Sequence, residues 1–301
     1  MNIQTISIVV PTKGCVNKCP FCVSRMHESC YENKWNEEQM SKRIKYAVMN
    51  GVNTCILTGT GEAMQNGAFL SNLSELFRKM DYPFPNVELQ TTGVYLSMSE
   101  EVFENDKLIK RYTVLDFLEQ LGVNTISLSI SDVFDDLNNL KLIGVSKKLE
   151  FNLTELVPLL KERGFNVRFS LNMLQKYDHL TPGTIIDRCK FLGANQITFR
   201  KMYIDGKVKS PESEWVIKNA CLETTLWNIK QYVEGGKVVK GYGEFLYKLP
   251  FGGKVYSIEG MSTVMDDDCM SKENNDALKY IVLREDGKLY CRWDDKGSLI
   301  F

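Results

Sequence analysis

Apolar positions along the chain follow two periods. Residues 6–10, 54–58, 87–91, 125–130, 167–173 and 196–200 are short runs rich in β-branched and large apolar side chains, and each predicts a strand. Between them the apolar residues recur three and four apart. The sets are Met40, Ile44, Ala47 and Val48; Leu70, Leu73, Leu76, Phe77 and Met80; Leu115, Leu118 and Leu121; Leu153, Leu156, Val157 and Leu160; and Ile185, Ile186, Cys189 and Leu192. Each set marks one face of a helix.

The joint from helix to strand repeats. Residues 50–54, 121–125, 163–167 and 192–196 share the pattern x-Gly-apolar-Asn-x, with Gly51, Gly122, Gly164 and Gly193 in second place. A glycine here predicts a left-handed helix stop, after which the apolar residue tucks under the helix and asparagine turns the chain into a strand. Six strands alternating with helices predict an α/β fold with a parallel sheet and right-handed crossovers. Two hydrophilic insertions, 94–111 and 131–152, interrupt it.

From Pro211 the period changes. Residues 211–235 read as one long helix, with Trp215, Val216, Ala220, Ile229 and Val233 near one face. Short strands punctuated by Gly241, Gly243, Gly252 and Gly253 follow, and then a hairpin in which 280–283 and 288–293 flank Glu285-Asp286-Gly287. The expected division is 1–205 for the α/β body and 206–301 for a helix and small β-rich extension capping it. Asp266, Asp267, Asp268 and Cys269 either meet Asp294 and Asp295 across the hairpin or, the favoured reading, form a solvated acidic turn.

Composition narrows the class. The chain has 301 residues, 44% hydrophobic and 25% charged, which suits a soluble globular protein with a sizeable core. No apolar run approaches the ~18 residues of a membrane span, so no membrane partner is expected. A net charge of −1 offers no basic field for nucleic acid. Nine cysteines are an odd number, and the opening Met1-Asn2-Ile3-Gln4 lacks the basic and apolar regions of a secretory signal. A reducing cytoplasm is expected, with Cys30, Cys55, Cys189 and Cys221 as small hydrophobes and His179 solvated.

Three cysteines stand apart. Cys15, Cys19 and Cys22 form a C-x3-C-x2-C run on the loop leaving the first strand. Three soft thiolates so close together point to a metal or an iron–sulfur site. A structural zinc or an electron-transfer cluster normally takes four protein ligands, so three leave one metal open to something else. Two other readings stay beside this one. A zinc-binding interaction module uses the same cysteines with His27, and a ferredoxin-like electron carrier needs a fourth thiolate. Cys269 and Cys291 are too few for a second cluster. Glu28, next to His27, is expected to cap the approach to the first helix.

The spacing, the aromatic Phe21 before the last cysteine and the place after a first strand closely resemble the radical S-adenosylmethionine (SAM) enzymes. That resemblance covers roughly residues 5–202 and implies a six-stranded partial (β/α)6 TIM-like barrel. It implies that Cys15, Cys19 and Cys22 hold three irons of a [4Fe–4S] cluster whose fourth iron is chelated by SAM, with Phe21 against the adenine. Gly59-Thr60-Gly61-Glu62 is similar to the family's GGE segment near the SAM amino group, with Thr60 in place of the middle glycine. Thr91, in the segment Gln90-Thr91-Thr92-Gly93, faces the pocket by the same likeness. Ser129 and Ser131 are implied near the ribose or the methionine carboxylate, Asn172 at the ribose, and Arg200 at the SAM carboxylate or an anionic substrate group.

The implied activity is reductive cleavage of SAM to a 5′-deoxyadenosyl radical, which abstracts hydrogen from a substrate. The absence of surplus cysteines favours a small molecule such as a nucleotide or nucleoside; a peptide or RNA is the alternative. An electron donor such as flavodoxin or ferredoxin and sensitivity to oxygen belong to the same expectation.

Overall fold

The structure is a computed structural model that describes residues 2–26, 34–104, 107–204, 210–235, 241–248, 253–266, 277–293 and 295–301. In chain order, β1 (Asn2–Val10) leads through α1 (Val23–Met26) and α2 (Glu37–Met49) to β2 (Thr54–Gly59), and α3 (Gly67–Lys79) leads to β3 (Asn86–Thr91). Next come β4 (Ser99–Glu104), β5 (Lys107–Thr113), α4 (Val114–Gln120), β6 (Thr125–Ile130), α5 (Asp136–Ile143), α6 (Leu153–Glu162) and β7 (Asn166–Asn172). The chain continues through α7 (Pro182–Leu192), β8 (Gln196–Arg200), α8 (Pro211–Asn219) and α9 (Glu223–Glu234). It ends with β9 (Glu244–Lys248), β10 (Lys254–Ile258), β11 (Met261–Asp266), β12 (Ala277–Leu283) and β13 (Leu289–Tyr290).

The six expected strands are present and parallel, in the order β1-β2-β3-β6-β7-β8. Their core is the set of faces read from the sequence: Ile6, Ile8, Leu57, Leu89, Ile126, Phe169 and Ile197 are buried beneath Leu70, Leu73, Leu118, Leu156, Ile185 and Leu192. The four joints behave as their pattern predicts. Gly51, Gly122, Gly164 and Gly193 all have φ between 82° and 94°, and Val52, Val123, Phe165 and Ala194 are buried. Each of these apolar residues donates its N–H five residues back, to Ala47, Leu118, Leu160 and Cys189. The asparagine amides then begin sheet pairing, for example Asn53 to the Gln4 carbonyl and Asn124 to that of Val87.

Four differences have physical causes. Val48, expected on the buried face of α2, is 40% exposed, and Arg43 is buried there instead. The stretch 211–235 is two helices, broken where Ala220 bridges Leu174 and Cys221 donates to the Met173 carbonyl. Asp178 caps the second helix, accepting from Leu222 N–H and the Thr225 hydroxyl. The insertion 94–111 contributes the antiparallel pair β4–β5.

The last difference is the largest. β12 lies parallel to β1, and β11 lies parallel to β8. Strands of 206–301 therefore extend both edges of one sheet, giving eight consecutive parallel strands among eleven. Edge strands carry unpaired N–H and C=O groups, and pairing satisfies them. The expected hairpin forms, with Val282 opposite Tyr290 and Leu283 opposite Leu289. Asp266 sits at the β8 edge while Asp295 follows β13 at the opposite edge, so these two do not meet. Asp267, Asp268, Cys269 and Asp294, like His27, Glu28 and Cys30, lie outside the described residues. Cys55 and Cys189 are buried and His179 is exposed.

Candidate functional site

Parallel strands place the loops that follow them on one side of the sheet, where ligands bind in such folds. The loop after β1 carries Cys15, Cys19 and Cys22, and three later loops hold it in place. Val16 N–H donates to Gln65 Oε1 at 2.8 Å, and Asn17 Nδ2 to Thr92 Oγ1 at 2.8 Å. Lys18 N–H donates to the Ile143 carbonyl at 3.0 Å, beside Gly144, where a Cβ would stand 2.8 Å from Lys18 Cβ. Arg25 donates to the Cys19 carbonyl and pairs with Glu212 at 3.0 Å. The Phe21 ring packs at 5.5 Å from Trp215 of α8, tilted by 41°.

The sulfurs sit among donors and one another. Cys15 Sγ accepts from Asn17 N–H at 3.4 Å, and the nearby Glu62 backbone N–H also favours its thiolate. Burial raises the Cys15 thiol, and the charges of Glu62 and Cys22 add to it. Burial pushes Cys19 up to about 12, with Cys22 and Cys15 adding and Arg25 opposing. Thiols that disfavour one another's ionisation keep their protons until a cation replaces them. Among the described residues no three His, Cys, Asp or Glu side chains converge on a point as a single ion requires.

After β2, Glu62 is buried at 3% exposure and faces the end of β3. Its carboxylate accepts from the Thr91 hydroxyl at 2.6 Å and from Thr92 N–H and hydroxyl, each at 2.9 Å. Burial raises its pKa against those hydrogen bonds, which lower it. With Met64 N–H also near at 3.5 Å, the usual four acceptor directions of a carboxylate are occupied. Gly61 is required by space. A Cβ there would lie 2.5 Å from Thr12 Oγ1 and 2.6 Å from the Gly14 carbonyl, so the two loops touch backbone to backbone. Thr60 donates its hydroxyl to Glu285.

The β6–β7 pairing gathers three expected residues. Asn172 Nδ2 lies 3.2 Å from both Ser129 Oγ and Ser131 Oγ. Asn139 Oδ1 holds the turn beyond them, accepting from Ser131 N–H at 2.8 Å and Asp132 N–H at 3.3 Å. Asp132, itself 1% exposed, pairs with Lys176 from the next loop. Arg200 ends β8 opposite Asn172 in register. Its Nε is buried without a hydrogen bond among the described residues, and its ion pair with Asp266 is 3.7 Å long. Ser170 Oγ and Asn17 Oδ1 are likewise buried and unpartnered there.

Several neighbours had no signal in the sequence. Gln65, Asn17, Asn139 and Glu285 are ordinary polar residues until folding brings them to these loops. Tyr95 follows β3. Burial first, then the charges of Glu62 and Cys15, disfavours its ionisation, which puts the phenol within electrostatic reach of both.

Comparison with known proteins agrees with this arrangement. The family model of the Radical SAM superfamily matches residues 9–189. No curated protein matches the chain in sequence. Streptococcus suis SuiB, solved bound to precursor peptide SuiA, superposes with a TM-score of 0.54 at 13% identity, covering 96% of this chain and 59% of that one. Methylornithine synthase (PylB) superposes with a TM-score of 0.50 at 14% identity, covering 76% of this chain and 62% of that one. The chain thus spans about three fifths of the length of these structures, and at such identity the likeness is one of fold. No helix among the described residues is long and apolar enough to cross a membrane. With the family model covering more than half of its length, the chain belongs to the radical SAM superfamily, whose members use a [4Fe–4S] cluster and SAM.

Proposed function

We propose that this chain cleaves SAM reductively and abstracts a hydrogen atom from a substrate. The observation that carries the reading is the cysteine loop seated against Gly61, with Cys15 Sγ accepting from Asn17 N–H. Cys15, Cys19 and Cys22 would each hold one iron of a [4Fe–4S] cluster, an arrangement that needs no convergence on a single point. SAM would lie across the strand ends, with Gly59, Thr60 and Gly61 beside its amino group and Ser129, Ser131 and Asn172 beside the ribose. When bound, the pair supplies a 5′-deoxyadenosyl radical as the hydrogen acceptor.

The chain's own residues orient and exclude. Glu62 fixes Thr91 and Thr92 and its N–H favours the Cys15 thiolate, so it organises the site from a position already filled with donors. Phe21 and Trp215 put apolar surface beside the loop, which helps keep water from a radical. Arg200 Nε, which makes no hydrogen bond among the described residues and only a 3.7 Å ion pair with Asp266, supports an anionic group on SAM or substrate; among the small molecules expected, a nucleotide carries such a group and a nucleoside does not. A peptide is the second reading. It is favoured by β9, which ends the sheet with every residue exposed, an edge that an extended chain can join. A low-potential flavodoxin or ferredoxin in the cytoplasm would supply the electron.

Anaerobic reconstitution followed by dithionite and SAM tests this reading. A brown cluster with 5′-deoxyadenosine release is expected. A brown cluster that leaves SAM intact would mean an electron carrier, and a colourless zinc protein would mean the interaction module.

A further inference from the structure

The C-terminal hairpin reaches the cysteine loop. β12 runs parallel to β1 with Leu283 opposite Ile8, so the turn after β12 arrives beside the residues that follow β1. There the Glu285 carboxylate accepts the Thr60 hydroxyl, 225 residues away in sequence, and has the Thr12 backbone N–H nearby, which favours its charged form. The turn that presents it is tightly made. Arg284 donates to the carbonyls of Arg292 and Trp293 at 2.6 Å and lies 4.1 Å from the Tyr290 ring centroid, while Tyr290 donates its hydroxyl to Asp286 at 2.7 Å. Glu285 is therefore offered from a stiff support.

Its two partners flank the closest backbone contact of the site. Thr12 and Gly14 are the atoms a Cβ on Gly61 would strike, and Cys15 Cβ is the next, at 3.3 Å. Thr60 also stands where the resembling segment has glycine, and the side chain gained there is the one that Glu285 takes.

We propose that Glu285 is a positioning residue of the cofactor site, holding Thr60 beside Thr12 so that the loops bearing Gly61 and Cys15 keep their spacing. The inference rests on the function proposed above, but its first test needs no cofactor. In the metal-free full chain, Glu285→Ala is expected to speed hydrogen exchange about tenfold at the amides of residues 12–15 and 60–62, matching the loss of about one charge-assisted hydrogen bond. Strands β1 to β3 should keep their protection. Glu285→Gln, which retains an acceptor oxygen, should restore part of it. Thr60→Ala removes the same bond without touching the hairpin and should loosen residues 60–62, so the test stands even if Glu285→Ala fails to fold.

In the cluster-loaded protein, SAM affinity read from the spectrum of the reduced cluster should fall about tenfold in each single variant. The double variant should be no weaker than either, because both remove one interaction. Exchange confined to residues 284–288, or unchanged at 60–62 in Thr60→Ala, overturns the proposal. A loaded wild type that binds no SAM overturns the proposed function instead, and the exchange measurement still decides the role of Glu285.

Discussion

The Glu62 carboxylate at the ends of β2 and β3 accepts from three groups within 2.9 Å, whereas the Arg200 guanidinium at the end of β8 has a buried Nε with no hydrogen bond among the described residues. Both are charged groups at the ends of strands in one sheet, but Glu62 is buried at 3% exposure while the Arg200 side chain is 34% exposed, and burial of a charge is costly unless it is satisfied. The first is satisfied by the fold itself. Its geometry is set by the fold, as the proposed cofactor held by three cysteines at fixed spacing would require. The second meets Asp266 at 3.7 Å and has capacity left over. Under the proposed function, the first end would hold the constant cofactor and the second would meet the variable partner.

Changes at the cysteines test the constant end most severely. Replacing Cys15, Cys19 or Cys22 by alanine should abolish cluster uptake and 5′-deoxyadenosine formation, measured as iron content and product after anaerobic reconstitution. Retention of a full cluster by any of the three variants would show that its sulfur is no ligand.

Glu62→Ala comes next. It leaves the Thr91 hydroxyl and the Thr92 N–H buried without their acceptor, at a cost of about 3 kcal/mol or more in unfolding free energy. Denaturant titration of the metal-free protein reads this directly. Arg200→Gln should cost less than ~1 kcal/mol in the same titration, because Nε has no hydrogen bond to lose and a loose ion pair contributes little. Equal losses for the two variants would erase the contrast between the two ends.

The smallest effect lies away from both. Asp116 closes a capping box with Thr113 at the start of α4 and pairs with Arg163 at the end of α6. The Thr113 amide first, then Arg163, holds its carboxyl down to about 2. A lowered carboxyl contributes stability that is present above its ordinary value of about 3.9 and is lost as pH falls through the folded value. Melting temperature should therefore decline between about pH 4 and pH 2, and Asp116→Asn should flatten that decline while leaving SAM binding alone. A site variant that moves this acid limb as much would tie the site to the scaffold more closely than the hydrogen bonds indicate.

Legibility differed between the two halves of the chain. The six strands, their helices and the four glycine joints were open to reading because each rests on contacts within about ten residues: a period, a left-handed stop, an asparagine turn. The break at Ala220 was not, because it is made by Leu174, Met173 and Asp178 from another loop. The placement of β11 and β12 was hidden for the same reason. A strand of six or seven residues states that it will pair, but not with which edge.

The candidate site divides along the same line. Cys15, Cys19, Cys22, Gly61 and Glu62 were legible because their spacing and residue types carry the chemistry. That Asn172 meets Ser129 and Ser131, that Glu62 is saturated by Thr91 and Thr92, and that Glu285 takes Thr60 are facts of strand register and long-range approach. By itself the sequence determined the alternation of strand and helix, the three-thiolate loop and the family, since these depend on local pattern. The tertiary structure alone decided which polar groups are satisfied and which are left open, because a hydrogen bond depends on where distant segments bring donor and acceptor to within about 3 Å.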